Sequence, residues 1–366
     1  MEARRRTGYD TVVVGGGVIG LACAWRVAQR GLSVLVLERD EPGAGASGVA
    51  AGMLAPVTEA EFGEERLLGL NRAGAARWPA FAAELAERSG IDTGYRASGA
   101  IVAAADRDDG EELRRLFAFQ RSLGLDVEWL AGRDCRRLEP RLSPRVSGGI
   151  LAPHEAHVEP RAVVRALCTA IDGAGGEMVT GAPVEEVAPG QVVACGRRIE
   201  AGKVVVAAGA WSGAFPGAPP VRPVKGQIIR LRGEPLVERL VRTPRCYVVS
   251  RADGEVVVGA TVEERGFDTS VTAGGVRHLL ESAWEVLPEV EELELVDVAA
   301  RLRPGTPDNA PAIGERDGVI WATGHHRGGV LLAPITADAI ADLLVGRSVP
   351  GEIAPFAPER FEVAVG

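Results

Sequence analysis

The sequence predicts an α/β protein in two parts. One is a mainly parallel sheet covered by helices, which the chain leaves and re-enters; the other is a separate antiparallel sheet. Three observations carry this reading. Thr11-Val12-Val13-Val14 is a β-branched run without polar alternation, as expected of a strand covered on both faces. A second such run, Lys203 to Trp211, also leads into a glycine, so the first sheet resumes there after an excursion. Between Tyr247 and Ala260 two strand-like runs meet at Asp253-Gly254, a hairpin pair and hence a sign of antiparallel sheet.

The first strand ends in Gly15-Gly16-Gly17-Val18-Ile19-Gly20, which fits G-x-G-x-x-G. Val18, Leu21, Ala22, Trp25 and Ala28 follow at helical spacing, and Gly31 stands where a left-handed C-terminal residue belongs. Ser33 to Leu37 is a second buried strand, closed by Glu38. This strand–helix–strand context reads as a Rossmann-like dinucleotide-binding unit. Gly15 permits the tight turn, Gly17 lets the backbone approach a pyrophosphate, and Gly20 allows the helix to pack closely on the strand. The helix N-terminus offers amides to phosphate, and Glu38 suits the ribose hydroxyls. The motif by itself does not separate NAD from FAD.

Small residues follow, at 43–48 and 50–56, where backbone amides can pass close to a ligand. Helices are expected over 67–90, over 111–123 and from Pro160 to Gly175-Gly176, whereas 131–145 is arginine-rich and reads as irregular because of Pro140 and Pro144. Strands are expected over 227–232, 247–251, 255–260 and 296–303, with a helix over 277–287 between the last two. A final helix, to Leu344, is entered through Gly328-Gly329. The expected division places 1–84, 148–214 and 306–366 in a discontinuous dinucleotide domain, with 85–147 and 215–305 in a substrate domain built on the antiparallel sheet.

Composition excludes several functions. The chain has 366 residues with 41 Lys+Arg against 50 Asp+Glu, a net charge of -9, so nothing draws it to nucleic acid or an anionic membrane. Arg4-Arg5-Arg6 is followed by an apolar stretch that runs into glycines with no cleavage site, and no run is long enough to span a bilayer; a cytoplasmic location is expected. Cys23, Cys135, Cys168, Cys195 and Cys246 are odd in number without C-x-x-C spacing and read as buried thiols. His154-Glu155-Ala156-His157 is one residue short of H-E-x-x-H and is bracketed by Pro153 and Pro160, so no metal is expected. Strand alternation puts Arg301 and Arg303 on one face, opposite Val298, Ala300 and Leu302. A planar arginine fork suits a carboxylate ligand, although a solvated or ion-paired strand arginine fits the pattern as well.

Five segments together resemble the glycine oxidase branch of the D-amino acid oxidase-like FAD-dependent oxidoreductases. They are Gly15 to Gly20 with Glu38, Ala50 to Pro56, Val204 to Trp211, Leu302 to Asp308, and Gly324-His325-His326-Arg327-Gly328-Gly329-Val330-Leu331-Leu332-Ala333-Pro334. The resemblance covers residues from about 10 to about 346 and implies noncovalent FAD, since no cysteine lies near 324–334. By the same resemblance Arg303 holds the substrate carboxylate, Tyr247 lines the substrate pocket and Arg327 lies near it. Val262 stands where some relatives carry a larger thioether. Residues implied at the cofactor are Gly15, Gly17, Val18, Ile19 and Gly20, then Glu38, Arg39, Ala46, Ser47, Ala51, Gly52 and Met53. Val184, Ala208, Gly209 and Trp211 follow, and last Arg303, His326, Arg327, Gly328, Gly329, Val330 and Leu331. Gly328 to Val330 open a helix whose N-terminus, aimed at the flavin ring, would stabilise the reduced form.

What the resemblance implies is oxidation of glycine, sarcosine and small D-amino acids to the imine, with oxygen as acceptor, peroxide as product and glycine imine passed to thiazole formation for thiamine. No side-chain acid or base is assigned. A homo-oligomer is implied, with a homotetramer the form expected. Two alternatives stay open: a D-amino acid dehydrogenase with a non-oxygen acceptor, and a FAD-binding protein without turnover.

Overall fold

A computed structural model describes residues 8–361. Strand β1 (Gly8–Val14) leads into α1 (Val18–Gln29) and back through β2 (Val34–Leu37). Gly31, with φ +81°, makes the left-handed turn out of α1. The short β3 (Met53–Leu54) and the long α2 (Glu65–Ser89) come next. A first excursion holds β4 (Ala100–Ala104), α3 (Arg107–Ser122), β5 (Glu128–Ala131), α4 (Gly132–Leu138) and β6 (Gly148–Ala152). The chain returns through β7 (Ala156–His157), α5 (Pro160–Gly173), β8 (Glu177–Val179), β9 (Val184–Ala188), β10 (Gln191–Ala194) and β11 (Arg197–Val206). A second excursion contains β12 (Arg222–Arg232), β13 (Leu240–Arg242), β14 (Tyr247–Ser250), β15 (Glu255–Gly259), α6 (Ala273–Val286) and β16 (Glu294–Gly305). β17 (Ala312–Arg316), β18 (Val319–Thr323) and α7 (Gly329–Leu344) complete the first layer.

The first sheet has the order β17-β18-β11-β1-β2-β8, with the hairpin β9-β10 attached to β11. Its strands from β18 to β8 are parallel, and β17 is an antiparallel edge. Both faces are covered, which is why β1 from Val12 onward and the whole of β2 are apolar. Val13 and Val36 face a core shared with α1, α2, α5 and α7, while Val12, Val14, Leu35 and Leu37 face one shared with Val187, Val192 and Trp321. Gly20 makes the closeness of α1 to β1 possible, since a Cβ there would meet the Gly15 carbonyl oxygen at 2.0 Å.

The second sheet has the order β16-β12-β15-β14-β13-β4-β6-β5 and packs against α4 and α6. Every neighbouring pair is antiparallel except β4 with β13, which is parallel, so the sheet is mixed where a purely antiparallel one was expected. The parallel junction arises because strands from the two separate excursions meet there.

The expected division of the chain shifts in two places. A boundary at 84/85 cuts through α2, whose Leu85 is fully buried in the first core. A boundary at 147/148 precedes β6, which pairs with β4 and β5 in the second sheet. The first excursion therefore runs from the end of α2 to Ala152. Residues 131–145 are not wholly irregular either: the two-turn α4 fits ahead of Pro140 and buries Cys135. Among the described residues no helix is long and apolar enough to cross a membrane.

Candidate active site

A cavity of about 840 Å³ runs between the two sheets, from the N-terminus of α1 to that of α7. Its first end is built from glycines and backbone. Gly17, in extended conformation, precedes α1 and supplies no side-chain cap. Ser47 supplies one from the following loop, its Oγ accepting from Val18 N at 3.0 Å. The amides of Ile19 and Gly20 remain without helix partners, as the first turn of any helix dictates. Glu38, at the end of β2, accepts from Gly16 N at 2.6 Å through one carboxylate oxygen and from Asp40 N at 2.9 Å through the other. A carboxylate has about four acceptor sites, so capacity remains toward the cavity it lines. Arg39 stacks on Trp211, its guanidinium carbon 3.7 Å from the ring centre, and both line the wall with Val184, Ala208 and Gly209.

The loop after Glu38 crosses the cavity with Ala46, Ser47, Ala51, Gly52 and Met53 on its wall. At the far end, Gly329 and Val330 open α7, again without a side-chain cap. His326 lines the cavity with φ +45°, and its buried Nδ1 has no hydrogen-bond partner. Burial, with Arg327, Arg303 and Arg222 adding to it, pushes His326 down to about 3, so its ring is neutral. His325 is also neutral, pushed down to about 3 by burial, and contacts Thr336 Oγ1 at 3.0 Å.

Three of the expected cofactor residues do not line the cavity. Gly20 serves the packing of α1 on β1. Gly328 N donates to His325 O at 2.8 Å, inside the turn that precedes α7. Leu331 faces away into the core, its carbonyl accepting from Trp78 Nε1 at 3.0 Å, because the third residue of α7 is turned toward α2.

Six arginines lie on the cavity wall: Arg39, Arg242, Arg245, Arg301, Arg303 and Arg327. Four are paired with carboxylates: Arg39 with Asp40, Arg242 with Glu59 at 3.2 Å, Arg245 with Asp109 and Glu285, and Arg327 with Glu64 and Glu61. Arg301 is turned to the backbone, donating to Ala44 O and Ala300 O. Arg303 alone keeps most of its fork: it donates once, to Thr261 O at 3.1 Å, and no carboxylate pairs with it among the described residues. Tyr247 shares this end of the cavity. Burial raises its pKa while the charge of Arg303 works against the rise, so the phenol stays protonated and able to donate.

Two glycines that the sequence reading passed over shape this end. A Cβ on Gly226 would lie 2.4 Å from Arg303 Nη1 and 2.6 Å from its Cζ, and one on Gly259 would lie 2.4 Å from the Tyr247 hydroxyl. Tyr247 is paired directly with Gly259 across β14 and β15, and Gly226 lies beside Arg303 on β12. Glycine inside a strand is the signal that marks such a close approach, and both positions sit at the edge of strand-like runs in the sequence. Glu59, Arg242, Asn309 and Cys246 were also missed; burial pushes the Cys246 thiol up to about 11. Glu155 of the His-Glu-Ala-His segment is buried and accepts from Val57 N, Thr58 N and Thr58 Oγ1, fixing the loop that carries Glu59.

The fold is shared with known proteins. The DAO family, described as FAD dependent oxidoreductase, matches residues 10–343. The chain belongs to the DAO family of FAD-dependent oxidoreductases. A glycine oxidase of Geobacillus kaustophilus is 35% identical over 98% of this chain and 98% of its own. A crystal structure of glycine oxidase from that species superposes with a TM-score of 0.91, at 34% identity, over 97% of this chain and 99% of that one. A bifunctional protein ThiO/ThiG of Trichormus variabilis is 34% identical over 96% of this chain but only 55% of its own length.

The cofactor of this DAO-family enzyme is FAD, and the cavity fits it. Unpartnered amides at the start of α1, an acid at the end of β2, the orphaned Nδ1 of His326 and the uncapped start of α7 offer donors and acceptors along one continuous wall. The residues that would hold it are Gly15, Gly17, Val18, Ile19, Glu38, Ser47 and the 51–53 segment at one end, with His326, Gly329 and Val330 at the other.

Proposed function

We propose that this enzyme oxidises the carbon–nitrogen bond of small amino acids, glycine foremost, with sarcosine and small D-amino acids as further substrates. The observation that carries the reading is the free fork of Arg303 in a cavity whose other arginines are paired with acids or turned to backbone. Arg303 would bind the substrate carboxylate bidentately, and the protonated phenol of Tyr247 would donate to the same group. Together they orient the amino acid, while the strand glycines hold the two side chains in place. Arg327, held by Glu64 and Glu61, contributes to the wall near the substrate rather than binding it directly. When bound, FAD would supply the two-electron acceptor for the hydride leaving the substrate Cα, with oxygen as the final acceptor and peroxide as its product. Water then converts the imine to glyoxylate and ammonia. Glycine imine is also the precursor that thiazole formation for thiamine consumes, and the likeness to a protein named ThiO/ThiG supports that setting. A cytoplasmic location is proposed from the sequence, and a homo-oligomer from the resemblance to glycine oxidases.

Peroxide release in air with glycine, sarcosine, D-alanine and D-proline at equal concentration tests the reading. Glycine is expected among the best substrates. Flavin bleaching by glycine without peroxide would instead identify a dehydrogenase, and no response to any amino acid would sink the substrate assignment.

A further inference from the structure

The loop that crosses the cavity holds itself by one short 3-10 turn, Ala46–Gly48, whose Ala46 O accepts from Val49 N and Ala50 N. It is built of small residues, and none from Ala44 to Ala50 is buried. Its carbonyls are nevertheless gripped from outside by arginines. Arg301 Nε donates to Ala44 O at 2.9 Å. Gly48 O accepts from Arg161 Nε at 2.8 Å and from Arg230 Nη2 at 3.2 Å. Arg251 donates to Ala51 O and, at 2.6 Å, to Val158 O. Arg230 on β12, Arg301 on β16 and Arg251 just after β14 all come from the second sheet, so that sheet supplies three of the four arginines. Arg230 and Arg251 are only 2% and 7% exposed. Arg251 has no carboxylate within 4 Å among the described residues, and its guanidinium hydrogen bonds go to these two carbonyls.

The direction of these bonds matters. Ala44 and Gly48 face a small outer groove with Arg161, Asp297 and Arg301, whereas Gly45, Ala46 and Ser47 face the main cavity. In a trans peptide the carbonyl of one residue and the amide of the next point to opposite sides. Drawing Ala44 O outward therefore turns the Gly45 N–H inward, and drawing Ala51 O away does the same for the Gly52 N–H. Neither amide has an acceptor among the described residues, and both glycines line the cavity.

We infer that Arg301 and Arg251 are positioning residues for FAD: by fixing the outward carbonyls of Ala44 and Ala51 they aim the free amides of Gly45 and Gly52 at the cofactor, while Arg230 anchors the same loop through Gly48 O. How tightly the first sheet keeps FAD is thus set partly by the second. The inference rests on the cavity being the FAD site.

FAD dissociation constants of the full-length holoprotein, read from flavin fluorescence on serial dilution, test it. Arg301 is partly exposed, so Arg301→Met is expected to fold with an unchanged urea midpoint while its FAD constant rises about tenfold, the worth of one charge-assisted bond. Arg301→Lys, which keeps a cationic donor, is expected to recover part of that loss, whereas packing alone would give no such rescue. Arg230→Met should act in the same direction as Arg301→Met. Constants within twofold of the parent protein in both methionine variants would overturn the inference. The peroxide assay reports separately on the oxidase reading, because a protein without amino acid turnover still shows or fails to show this FAD shift.

Discussion

Arg303 is useful because it is left over. Its neighbours on the cavity wall have acids or, for Arg301, two backbone carbonyls to answer them, and it has one backbone carbonyl and an open fork. Arg303→Ala is expected to raise the KM for glycine about a hundredfold, the loss of a bidentate charged contact, while FAD stays bound. Gly226→Ala is expected to act in the same direction with the arginine still present, because the new Cβ at 2.4 Å from Nη1 pushes the guanidinium aside. Steady-state kinetics on both variants checks this; a normal KM in Gly226→Ala would show that the arginine does not need its present position.

Among the elements, α1 depends on a residue outside itself. Its natural cap position is Gly17, which has no side chain, and Ser47 lends a hydroxyl across the turn at 3.0 Å from Val18 N. Ser47→Ala is expected to cost about 1 kcal/mol of stability, as the loss of a helix cap does, and to weaken FAD retention several-fold. Urea unfolding and flavin content of the purified protein measure the two effects, and an unchanged urea midpoint would remove Ser47 from the capping role. The strong G-x-G-x-x-G reading was legible because every residue in it acts within about 30 positions of the others. Ser47 is legible as part of that loop, but its partner is not, since a cap normally lies beside its own helix.

Across the whole molecule, buried histidines tie stability to pH. Burial pushes His157, His325 and His326 down to about 4, 3 and 3 from an ordinary 6.5. The unfolded chain takes up those protons first, so the stability these groups confer is present above pH 6.5 and is lost as pH falls toward 4. Glu155 opposes them: burial raises it from 4.5 to about 7, so its contribution is present below 4.5 and lost as pH rises to 7. Three histidines outweigh one carboxyl between those limits. The urea midpoint is expected to drop on acidification from 6.5 to 4.5, and a flat or rising midpoint would refute the balance.

Local chemistry in the sequence determined the parallel sheet, its dinucleotide turn and Glu38, and the residues of the second sheet's hairpin, because each rests on neighbours in the chain or on a short periodicity. Tertiary structure decided which arginine stays free, which glycines admit it, and where the domain crossings fall. Arg242 meets Glu59, Gly226 meets Arg303 and Arg251 meets Ala51 only once strand register and the docking of the two sheets are set. No local pattern encodes such meetings, since a strand arginine looks the same in the sequence whether it ends in solvent, on a carboxylate, on a carbonyl or in a cavity.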